Sequence, residues 1–352
     1  MNVLIFGGTG AMGSHLVSIL AKRGVKCVVT TRQHLDNKEN VEYARGDAHN
    51  VEFLNSLFAD HQWDAIVDFM KYSTSGFERR VDMLLSNTKQ YVFLSSSRVY
   101  AESNEPLTEK SPLLLDVCQD AEYLKTDEYA LAKARQERLL QKTGKKNWTI
   151  IRPYVTFSEY RLQLSALEKE YWLYRALKGR TIVFSKDLAE RTTTFTYGYD
   201  VAESIAAILG QESAYGEIFH VTNGISYKWQ DILSVYLNII EKETGIKPQV
   251  KIIESWKPYL GGNRYQVKWD RLYDRKFDNK KISSYIDTSN FQDTISALSN
   301  CLESFLQHPK FKKVKWKDEA LKDKVTGEWT SISEIPEFKQ KLMYILYRIG
   351  LH

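Results

Sequence analysis

The sequence is poor in cysteine, and what it lacks excludes several classes of protein. Its 352 residues include three cysteines, Cys27, Cys118 and Cys301, with no Cys-x-x-Cys pair and no cluster of histidines beside them. A disulfide framework or a zinc site is therefore not expected, and no metal is predicted. No stretch approaches the roughly 18 consecutive apolar residues that a membrane-spanning helix needs, so none is predicted.

The charge of the chain is nearly balanced. It has 49 lysines and arginines against 44 aspartates and glutamates, a formal net charge of +5. This excess is too small to indicate nucleic-acid binding by itself. The first residues, MNVLIFGGTG, lead directly into an apolar run and a glycine turn, without the basic start and apolar segment of a signal peptide. We therefore expect a cytoplasmic protein, large enough to form two lobes.

Short apolar runs alternate with amphipathic segments in the first half of the chain. The runs are NVLIF at 2–6, VKCVVTT at 25–31, DAIVDFM at 64–70, QYVFLSSS at 90–97 and WTIIRP at 148–153. Helices are predicted between and after them, at 14–24, 51–61, 77–88 and 127–142. Strands separated by helices at this spacing indicate parallel strands with crossover helices. The predicted fold class is therefore α/β, with a Rossmann-type, doubly wound parallel sheet.

A glycine turn follows the first predicted strand. Gly7, Gly10 and Gly13 have the spacing G-x-x-G-x-x-G, between an apolar run and an amphipathic helix. Glycines at this spacing let the backbone turn tightly and approach a pyrophosphate, which then faces the helix N-terminus. The order of strand, turn and helix therefore predicts a dinucleotide site. The other residues of the turn that we expect to contact the cofactor are Thr9, Ala11 and Met12.

The end of the second predicted strand bears on the identity of the cofactor. An acidic residue there would bind the ribose 2′-hydroxyl of NAD(H), whereas an arginine accommodates the 2′-phosphate of NADP(H). The sequence has Thr31 and Arg32 at this place and no acid. This favours NADP(H), while NAD(H) stays possible. Asp47, after the third strand region, is either a contact of the adenine amino group or a turn aspartate.

Tyr129 and Lys133 lie four residues apart in the segment DEYALAKARQERLL, and therefore on one face of a predicted helix. A lysine ammonium beside a phenol stabilises the phenolate, so the pair indicates proton transfer near neutral pH. The preceding strand ends in Ser95, Ser96 and Ser97, at the carboxyl edge where such sheets place their chemistry. A hydroxyl there can bind a substrate oxygen while the tyrosine exchanges the proton.

Together, GGTGAMG, the serine run before VY, YALAK, IIRP and FTYGYDVA resemble the extended short-chain dehydrogenase/reductase superfamily. Within it, the chain is similar to the NAD-dependent epimerase/dehydratase group, which acts on nucleotide sugars. The resemblance implies that Tyr129 is the acid/base, Lys133 its electrostatic partner and Ser96 the catalytic serine, with Ser97 as the second choice. It also implies that Ser95, Phe69, Met70 and Tyr154 contact the cofactor. Phe69, Met70 and Tyr154 could alternatively be plain core residues.

Two departures from that group narrow the expected chemistry. Dehydratases of the group carry an Asp-Glu pair directly after the catalytic hydroxyl residue, where this sequence has Ser97 and Arg98. The chemistry that remains is hydride transfer at a sugar carbon, expected at C4. It would serve either reduction of a keto-sugar or 4-epimerisation, and Arg32 after the second strand slightly favours reduction. The pyrophosphate-binding arginine of the group falls on Thr193, so Arg191 and Arg264 are the candidate substrate contacts. A sugar or a nucleotide-linked sugar is expected as the substrate; both the presence and the identity of the nucleotide stay open.

The predicted domains interleave along the chain. Residues 1–157 plus 194–223 form the dinucleotide-binding domain. Residues 158–193 plus 224–305 form a smaller, discontinuous α+β substrate-binding lobe, which begins with a helix predicted over 159–180. Residues 306–352 are a basic, helical C-terminal extension, with seven lysines between positions 308 and 324. Its apolar and basic end is expected to dock on protein, with a second subunit or a membrane surface as alternatives.

A function of another class stays open at this point. Relatives of the fold also serve as non-catalytic NADP sensors or RNA-binding proteins, and the lysine-rich run would suit RNA. Such sensors often lack the tyrosine–lysine pair, which is complete here. An enzyme is therefore favoured, and no nucleic-acid partner is expected. The resemblance also suggests a homodimer, packed through the predicted helices at 77–88 and 127–142.

Overall fold

The computed structural model describes residues 1–59 and 62–351, which form two compact units. The first unit consists of Met1–Ser158, Thr194–Ile225 and Lys276–Thr294. The second consists of Glu159–Thr193, Ser226–Arg275 and the chain from Ile295 onward. This division differs from the predicted one in two segments. Lys276–Thr294 groups with the first unit, and the C-terminal extension groups with the second.

A parallel sheet forms the centre of the first unit. In the described part of the chain its seven strands are β1 (Asn2–Phe6), β2 (Lys26–Thr31), β3 (Val41–Arg45), β4 (Trp63–Asp68), β5 (Thr88–Leu94), β6 (Trp148–Pro153) and β7 (Glu217–Val221). They lie in the order β7-β6-β5-β4-β1-β2-β3, and every neighbouring pair is parallel. The chain builds one half outward from β1 and crosses back to β4 for the other half. The predicted doubly wound α/β fold is confirmed.

Helices and loops cover both faces of this sheet. The main ones are α1 (Gly13–Lys22), α2 (Val51–Phe58), α3 (Thr74–Glu78), α4 (Val81–Ser86), α5 (Tyr129–Lys142) and α6 (Gly198–Ile208). Successive strand residues point to opposite faces. Ile5 is buried in a cluster with Leu16 of α1, whereas Phe6 is buried in a cluster with Leu54 of α2. The strands are apolar throughout because both faces are covered.

Smaller elements complete the first unit. The two-residue strand Thr156–Phe157 pairs in parallel with Thr196–Tyr197. Short helical turns lie at Leu114–Val117 and Ala121–Leu124. The helix predicted at 77–88 is instead the pair α3 and α4, because Arg80 leaves helical geometry with a φ of −127°. Its guanidinium donates to the carbonyl oxygen of His49 at 3.2 Å. Positions 60 and 61 of the helix predicted at 51–61 lie outside the described residues.

The second unit is built from helices and short two-stranded ribbons. The longer helices are α7 (Trp229–Thr244), α8 (Thr294–Gln307, of which Thr294 belongs to the first unit), α9 (Trp316–Thr326) and α10 (Phe338–Ile349). Shorter helical segments are Leu173–Leu177, Lys186–Ala189, Arg264–Gln266 and Val267–Arg271. The paired strands are Gln163–Leu164 with Leu167–Glu168, Ile182–Ser185 with Val250–Ile253, and Thr192–Thr193 with Tyr227–Lys228.

The helix predicted over 159–180 is wrong. The segment forms an antiparallel hairpin, and its helical part is Leu173–Leu177. Ser165 has a left-handed φ of 53°, which a continuing helix does not allow and which turns the chain between the two strands. Leu162, Leu164 and Leu167 are buried. These apolar residues therefore fill the core around a hairpin.

Two properties of the described residues bear on membranes and metal ions. None of the helices there is long and apolar enough to cross a membrane. No group of three or more histidine, cysteine, aspartate or glutamate side chains in the same residues is arranged to hold a metal ion.

Candidate active site

The glycine turn connects β1 to α1 at the carboxyl edge of the sheet. Gly7 has a left-handed φ of 71°, and α1 begins at Gly13. A Cβ atom added at Gly13 would lie 2.6 Å from the Cα atom of Gly8, so the close contact of turn and helix requires glycine there. A Cβ atom added at Gly10 would meet its nearest protein atom at 3.4 Å, an ordinary contact. Packing within the protein therefore does not explain glycine at position 10, whereas close approach of a diphosphate would.

The rest of the turn is open to a ligand. Thr9 and Gly10 are exposed, and Ala11 and Met12 are half-buried. The sequence-predicted contacts of the turn therefore share one accessible stretch of backbone. The donor-rich start of α1 follows directly, and this combination fits the pyrophosphate of a dinucleotide.

Phe69 and Met70 lie against the glycine turn. They follow β4, the sheet neighbour of β1, and the Phe69 backbone N–H donates to the carbonyl oxygen of Phe6 at 3.0 Å. A Cβ atom added at Gly7 would lie 3.4 Å from the sulfur of Met70 and 3.4 Å from the Cβ atom of Phe69. Both side chains therefore stand where the strand order reverses, which is where open α/β sheets bind ligands.

The far end of the same edge is cationic. Thr31 ends β2, and Arg32 directly after it is exposed. Arg45 ends β3, is also exposed and pairs with Thr31 in the sheet register. Arg45 was not among the predicted contacts, although an arginine at the end of β3, like Arg32 after β2, was a visible signal. The carboxylate of Asp47 accepts a hydrogen bond from the His49 backbone N–H at 2.9 Å, as a turn aspartate does.

The three serines after β5 differ in their hydrogen bonds. Ser95 donates to the carboxylate of Glu137, and Ser97 donates to the carbonyl oxygen of Arg152 at 2.7 Å. The hydroxyl oxygen of Ser96 accepts from the backbone N–H two residues further on, at 3.2 Å. Its own proton has no acceptor among the residues that the structure describes. Of the three hydroxyls, that of Ser96 is therefore left to donate to a ligand.

Tyr129 begins α5, and two cations approach its half-buried ring. The guanidinium carbon of Arg98 lies 5.3 Å from the ring centroid, and the Nζ atom of Lys71 lies 5.5 Å from it. Arg98 also pairs with Glu128 at 2.7 Å, and that carboxylate accepts the backbone N–H of Ala130 at the start of the helix. The sequence analysis did not identify either cation as a neighbour of the tyrosine, because the fold brings together the ends of two strands.

Lys133 is buried one turn after Tyr129. Its Nζ atom lies 2.6 Å from the carbonyl oxygen of Leu94 and 3.4 Å from that of Met70, and it donates to both. Burial lowers the pKa of Lys133 from its ordinary value of 10.5 to about 8, although neighbouring buried carboxylates oppose the shift. The ammonium is thus fixed at the ends of two strands, on the helix that begins with Tyr129.

Two buried carboxylates that the sequence analysis missed lie near this lysine. Asp68 ends β4 and accepts hydrogen bonds from two tyrosine hydroxyls, at 2.9 and 2.8 Å, and burial raises its pKa. Glu137 follows the lysine by one turn of α5 and accepts the Nε–H of Arg152 at 2.9 Å. The signal in the sequence was an acid at the end of an apolar strand and another on the buried side of a helix.

The remaining predicted site residues lie elsewhere. Tyr154 is buried after β6, and its ring centroid is 5.3 Å from that of Phe277 in the first unit. Arg191 and Arg264 belong to the second unit. Arg264 is exposed, and its guanidinium carbon lies 4.7 Å from the ring centroid of Tyr265.

The glycine turn, the serine run and the tyrosine–lysine pair thus meet at one edge of a doubly wound sheet. The model of the NAD dependent epimerase/dehydratase family matches residues 3–222 of the chain. The chain belongs to this family. Apart from Asn2, the matched range includes the seven strands of the central sheet in the part of the chain that the structure describes, and it includes Tyr129 and Lys133.

The relatives of this epimerase/dehydratase family member include a stem-loop binding protein by name and several UDP-glucose 4-epimerases. The chain is 25% identical over 235 residues to the chloroplast stem-loop binding protein of 41 kDa b from Arabidopsis thaliana, a match that covers 62% of this chain and 58% of the relative. It is 26% identical over 181 residues to UDP-glucose 4-epimerase from Neisseria meningitidis serogroup A, covering 43% of this chain and 51% of the relative. The chain thus spans about half the length of the relatives that it matches.

Solved structures share the fold of this family member over most of its length. The enzyme WbmH of Bordetella bronchiseptica, in complex with NAD+, has a TM-score of 0.67 at 16% identity, covering 88% of this chain and 99% of WbmH. UDP-glucuronic acid 4-epimerase from Bacillus cereus, in complex with UDP-glucuronic acid and NAD, has a TM-score of 0.64 at 17% identity, covering 87% and 99%. At such identities the likeness shows the fold.

Proposed function

We propose that this chain catalyses hydride transfer at C4 of a nucleotide-linked sugar, using a nicotinamide cofactor, with Tyr129 as the acid/base. One observation carries the proposal. Ser96 keeps a hydroxyl proton without an acceptor among the described residues, on the turn that also holds Arg98 against the ring of Tyr129. A donor and a phenol at the carboxyl edge of the sheet are what the oxygen of a reacting sugar carbon requires.

The roles of the side chains follow from their positions. A nicotinamide cofactor held at the glycine turn would supply the acceptor and donor of the hydride. Tyr129 removes the proton of the sugar hydroxyl as the carbon is oxidised and returns it when the carbon is reduced. Ser96 donates to the same oxygen and so orients it. Lys133, fixed by the carbonyl oxygens of Leu94 and Met70, stabilises the phenolate.

Two net reactions use this chemistry, and the cofactor distinguishes them. The relatives named UDP-glucose 4-epimerase favour epimerisation, in which the cofactor is regenerated at every turnover. The exposed Arg32 and Arg45 favour NADP(H), and with it net reduction of a keto-sugar. We place 4-epimerisation first and reduction second, because several relatives carry the name UDP-glucose 4-epimerase, whereas the case for reduction rests on the two arginines alone.

Identification of the retained cofactor tests this order. The protein would be purified without added nucleotide and denatured, and the released compounds would be separated by chromatography. We expect NAD near one per chain, and conversion of UDP-glucose to its C4 epimer without added cofactor. A protein that releases nothing and binds NADPH ahead of NADH would replace epimerisation by reduction. Absence of both binding and turnover would overturn the proposal.

A second candidate function is RNA binding without catalysis. The Arabidopsis relative named as a stem-loop binding protein favours it, together with exposed lysines in the C-terminal extension, at positions 310, 312, 313, 315 and 317. The complete tyrosine–lysine pair argues against it. Binding of an RNA stem-loop at physiological salt, in a protein without turnover, would support this function.

Several further assignments stay predictions. Ser97, Arg191 and Arg264 remain candidate substrate contacts, and Asp47 and Tyr154 remain candidate cofactor contacts. A cytoplasmic location and a homodimer packed through 77–88 and 127–142 also remain predictions. For the dimer, sedimentation equilibrium is the direct measurement.

A further inference from the structure

An apolar stripe runs along the exposed side of α10. It consists of Phe338, Leu342, Ile345 and Ile349, which recur every three or four residues and therefore line one face of the helix. Their exposed fractions are 82%, 51%, 36% and 50%. Single exposed apolar residues are normal on a protein surface, whereas a contiguous stripe of large ones marks an interaction site.

The opposite face of α10 is held by a buried hydrogen-bond network in the second unit. The hydroxyl of Tyr344 donates to the carboxylate of Asp323 at 2.6 Å and accepts the backbone N–H of Thr330 at 2.7 Å. The same carboxylate accepts from the guanidinium of Arg175 at 2.7 Å. Rotation of the helix about its axis would leave these buried groups unpaired, at a high cost in free energy. The stripe is therefore fixed on the outside.

The charged residues around the stripe are cationic. Residues 338–351 contain Lys339, Lys341 and Arg348 and no aspartate or glutamate. At 3.6 residues per turn, Lys341 and Arg348 lie on one side of the stripe and Lys339 on the other. Trp329, which is 55% exposed, stacks with Arg348, whose guanidinium carbon is 4.5 Å from its ring. Tryptophan is enriched where proteins meet the headgroup level of a membrane.

The lysine-rich run reaches this helix. Lys313 lies 3.3 Å from the carboxylate of Glu337, the residue before α10, and the Nζ atom of Lys317 lies 4.6 Å from the ring centroid of Tyr347. Five lysines of the run are exposed, at positions 310, 312, 313, 315 and 317. The lysine-rich run thus adds exposed positive charge to the same unit, and two of its lysines contact α10 or the residue before it.

The positive charge around the stripe indicates which kind of partner binds there. A second copy of this chain would bring two sets of cations together with no acid on either helix to separate them, which opposes pairing. An anionic lipid surface matches both features, because apolar side chains enter the boundary of headgroups and acyl chains while lysines bind the phosphates. We propose that α10 docks the protein on an anionic membrane surface, lying in the interface without crossing it. The proposal rests on the second unit and is independent of the proposed catalytic function.

Vesicle sedimentation tests the proposal with the full chain. Vesicles of phosphatidylcholine would be compared with vesicles that also contain phosphatidylglycerol. We expect binding to the second kind, weakened by high salt. The double variant Leu342→Ser/Ile345→Ser should lose at least about tenfold in affinity, because two apolar side chains no longer leave water. The control variant Ile225→Ser/Ile252→Ser changes residues that are 55% and 52% exposed outside the stripe, and it should bind as the wild type does.

Other outcomes would overturn the proposal. Equal loss of binding in both double variants would show that the stripe has no special role. Absence of vesicle binding together with a dimer that Leu342→Ser/Ile345→Ser dissociates would make a second copy the occupant. Absence of vesicle binding together with binding of an RNA stem-loop would assign the positive charge to RNA. All four positions are exposed, so thermal unfolding should be the same for each variant, and this is checked first.

Discussion

The ammonium nitrogen of Lys133 lies 2.6 Å from the carbonyl oxygen of Leu94, at the buried end of β5. Burial there lowers the pKa of Lys133 to about 8, whereas the unfolded chain keeps a value near 10.5. Between these two pH values the unfolded state therefore binds more protons than the folded state. The free energy of unfolding contributed by this group rises with pH across that window, since stability increases wherever the unfolded state holds more protons.

Replacement of Lys133 by an uncharged residue should remove this increase of the free energy of unfolding with pH. Urea unfolding of the wild type and of Lys133→Met would be measured at pH about 7 and about 9. From the lower to the higher pH, we expect the free energy of unfolding of the wild type to increase relative to that of Lys133→Met. Burial raises the pKa of the Cys27 thiol to about 11, which acts in the opposite direction but is present in both proteins and cancels. A difference that does not change with pH would contradict the buried placement of Lys133.

Substitution of Tyr129 separates an enzyme from a binding protein. Tyr129→Phe should lower kcat by about 100- to 10,000-fold, because the acid/base proton is lost. Cofactor affinity should change little, since the ring remains. Tyr160→Phe, at an exposed tyrosine of the second unit, is the matched control and should keep full activity. Unchanged turnover in Tyr129→Phe would remove this residue from the mechanism.

Ser96 and Ser97 should differ in their effect on activity when each is replaced by alanine. Ser96→Ala should lower kcat by about 100-fold, because its hydroxyl proton is free for the substrate. It should also lower the free energy of unfolding by about 1 kcal/mol or less, because the Arg98 backbone N–H loses its acceptor. Ser97→Ala should lower the free energy of unfolding by about 1 kcal/mol, because the buried carbonyl oxygen of Arg152 loses its donor. Steady-state kinetics and urea unfolding of both variants provide the comparison. The reverse pattern would make Ser97 the catalytic hydroxyl.

The glycines of the turn should also divide into two kinds. Gly13→Ala should cost about 1–3 kcal/mol of stability, because the added atom would overlap Gly8. Gly10→Ala should fold normally, because the added atom makes an ordinary contact, and yet bind the cofactor more weakly. Fluorescence titration with NADH and with NADPH measures the affinity. If Gly10→Ala binds both as the wild type does, the diphosphate does not approach this residue.

The central sheet was predictable because its signals are local. Each strand is covered on both faces and therefore appears as a short apolar run, as at Asn2–Phe6 and Trp148–Pro153. The glycine turn is equally local, since the left-handed φ of Gly7 and the contact of Gly13 with Gly8 involve neighbours in the chain. The helical spacing of Tyr129 and Lys133 is a third property that the order of residues determines.

The helix predicted over 159–180 shows where local signals end. Ser165 turns the chain in this segment, and burial of Leu162, Leu164 and Leu167 stabilises a hairpin. A pattern of apolar residues indicates which residues are buried, but it does not decide whether they lie on a helix or on a strand. Tertiary packing made that choice, as it did where α3 and α4 replace one predicted helix.

By itself, the sequence determined the family, the doubly wound sheet and the residues at its carboxyl edge. Only the tertiary structure decided which of three adjacent serines keeps a donor proton, and that Lys71 and Arg98 approach the ring of Tyr129. It also decided that the apolar side of α10 faces outward, because the network around Tyr344 holds the other side. Hydrogen bonds and charges between residues far apart in the chain depend on distances of a few ångströms, and only the folded chain sets those distances.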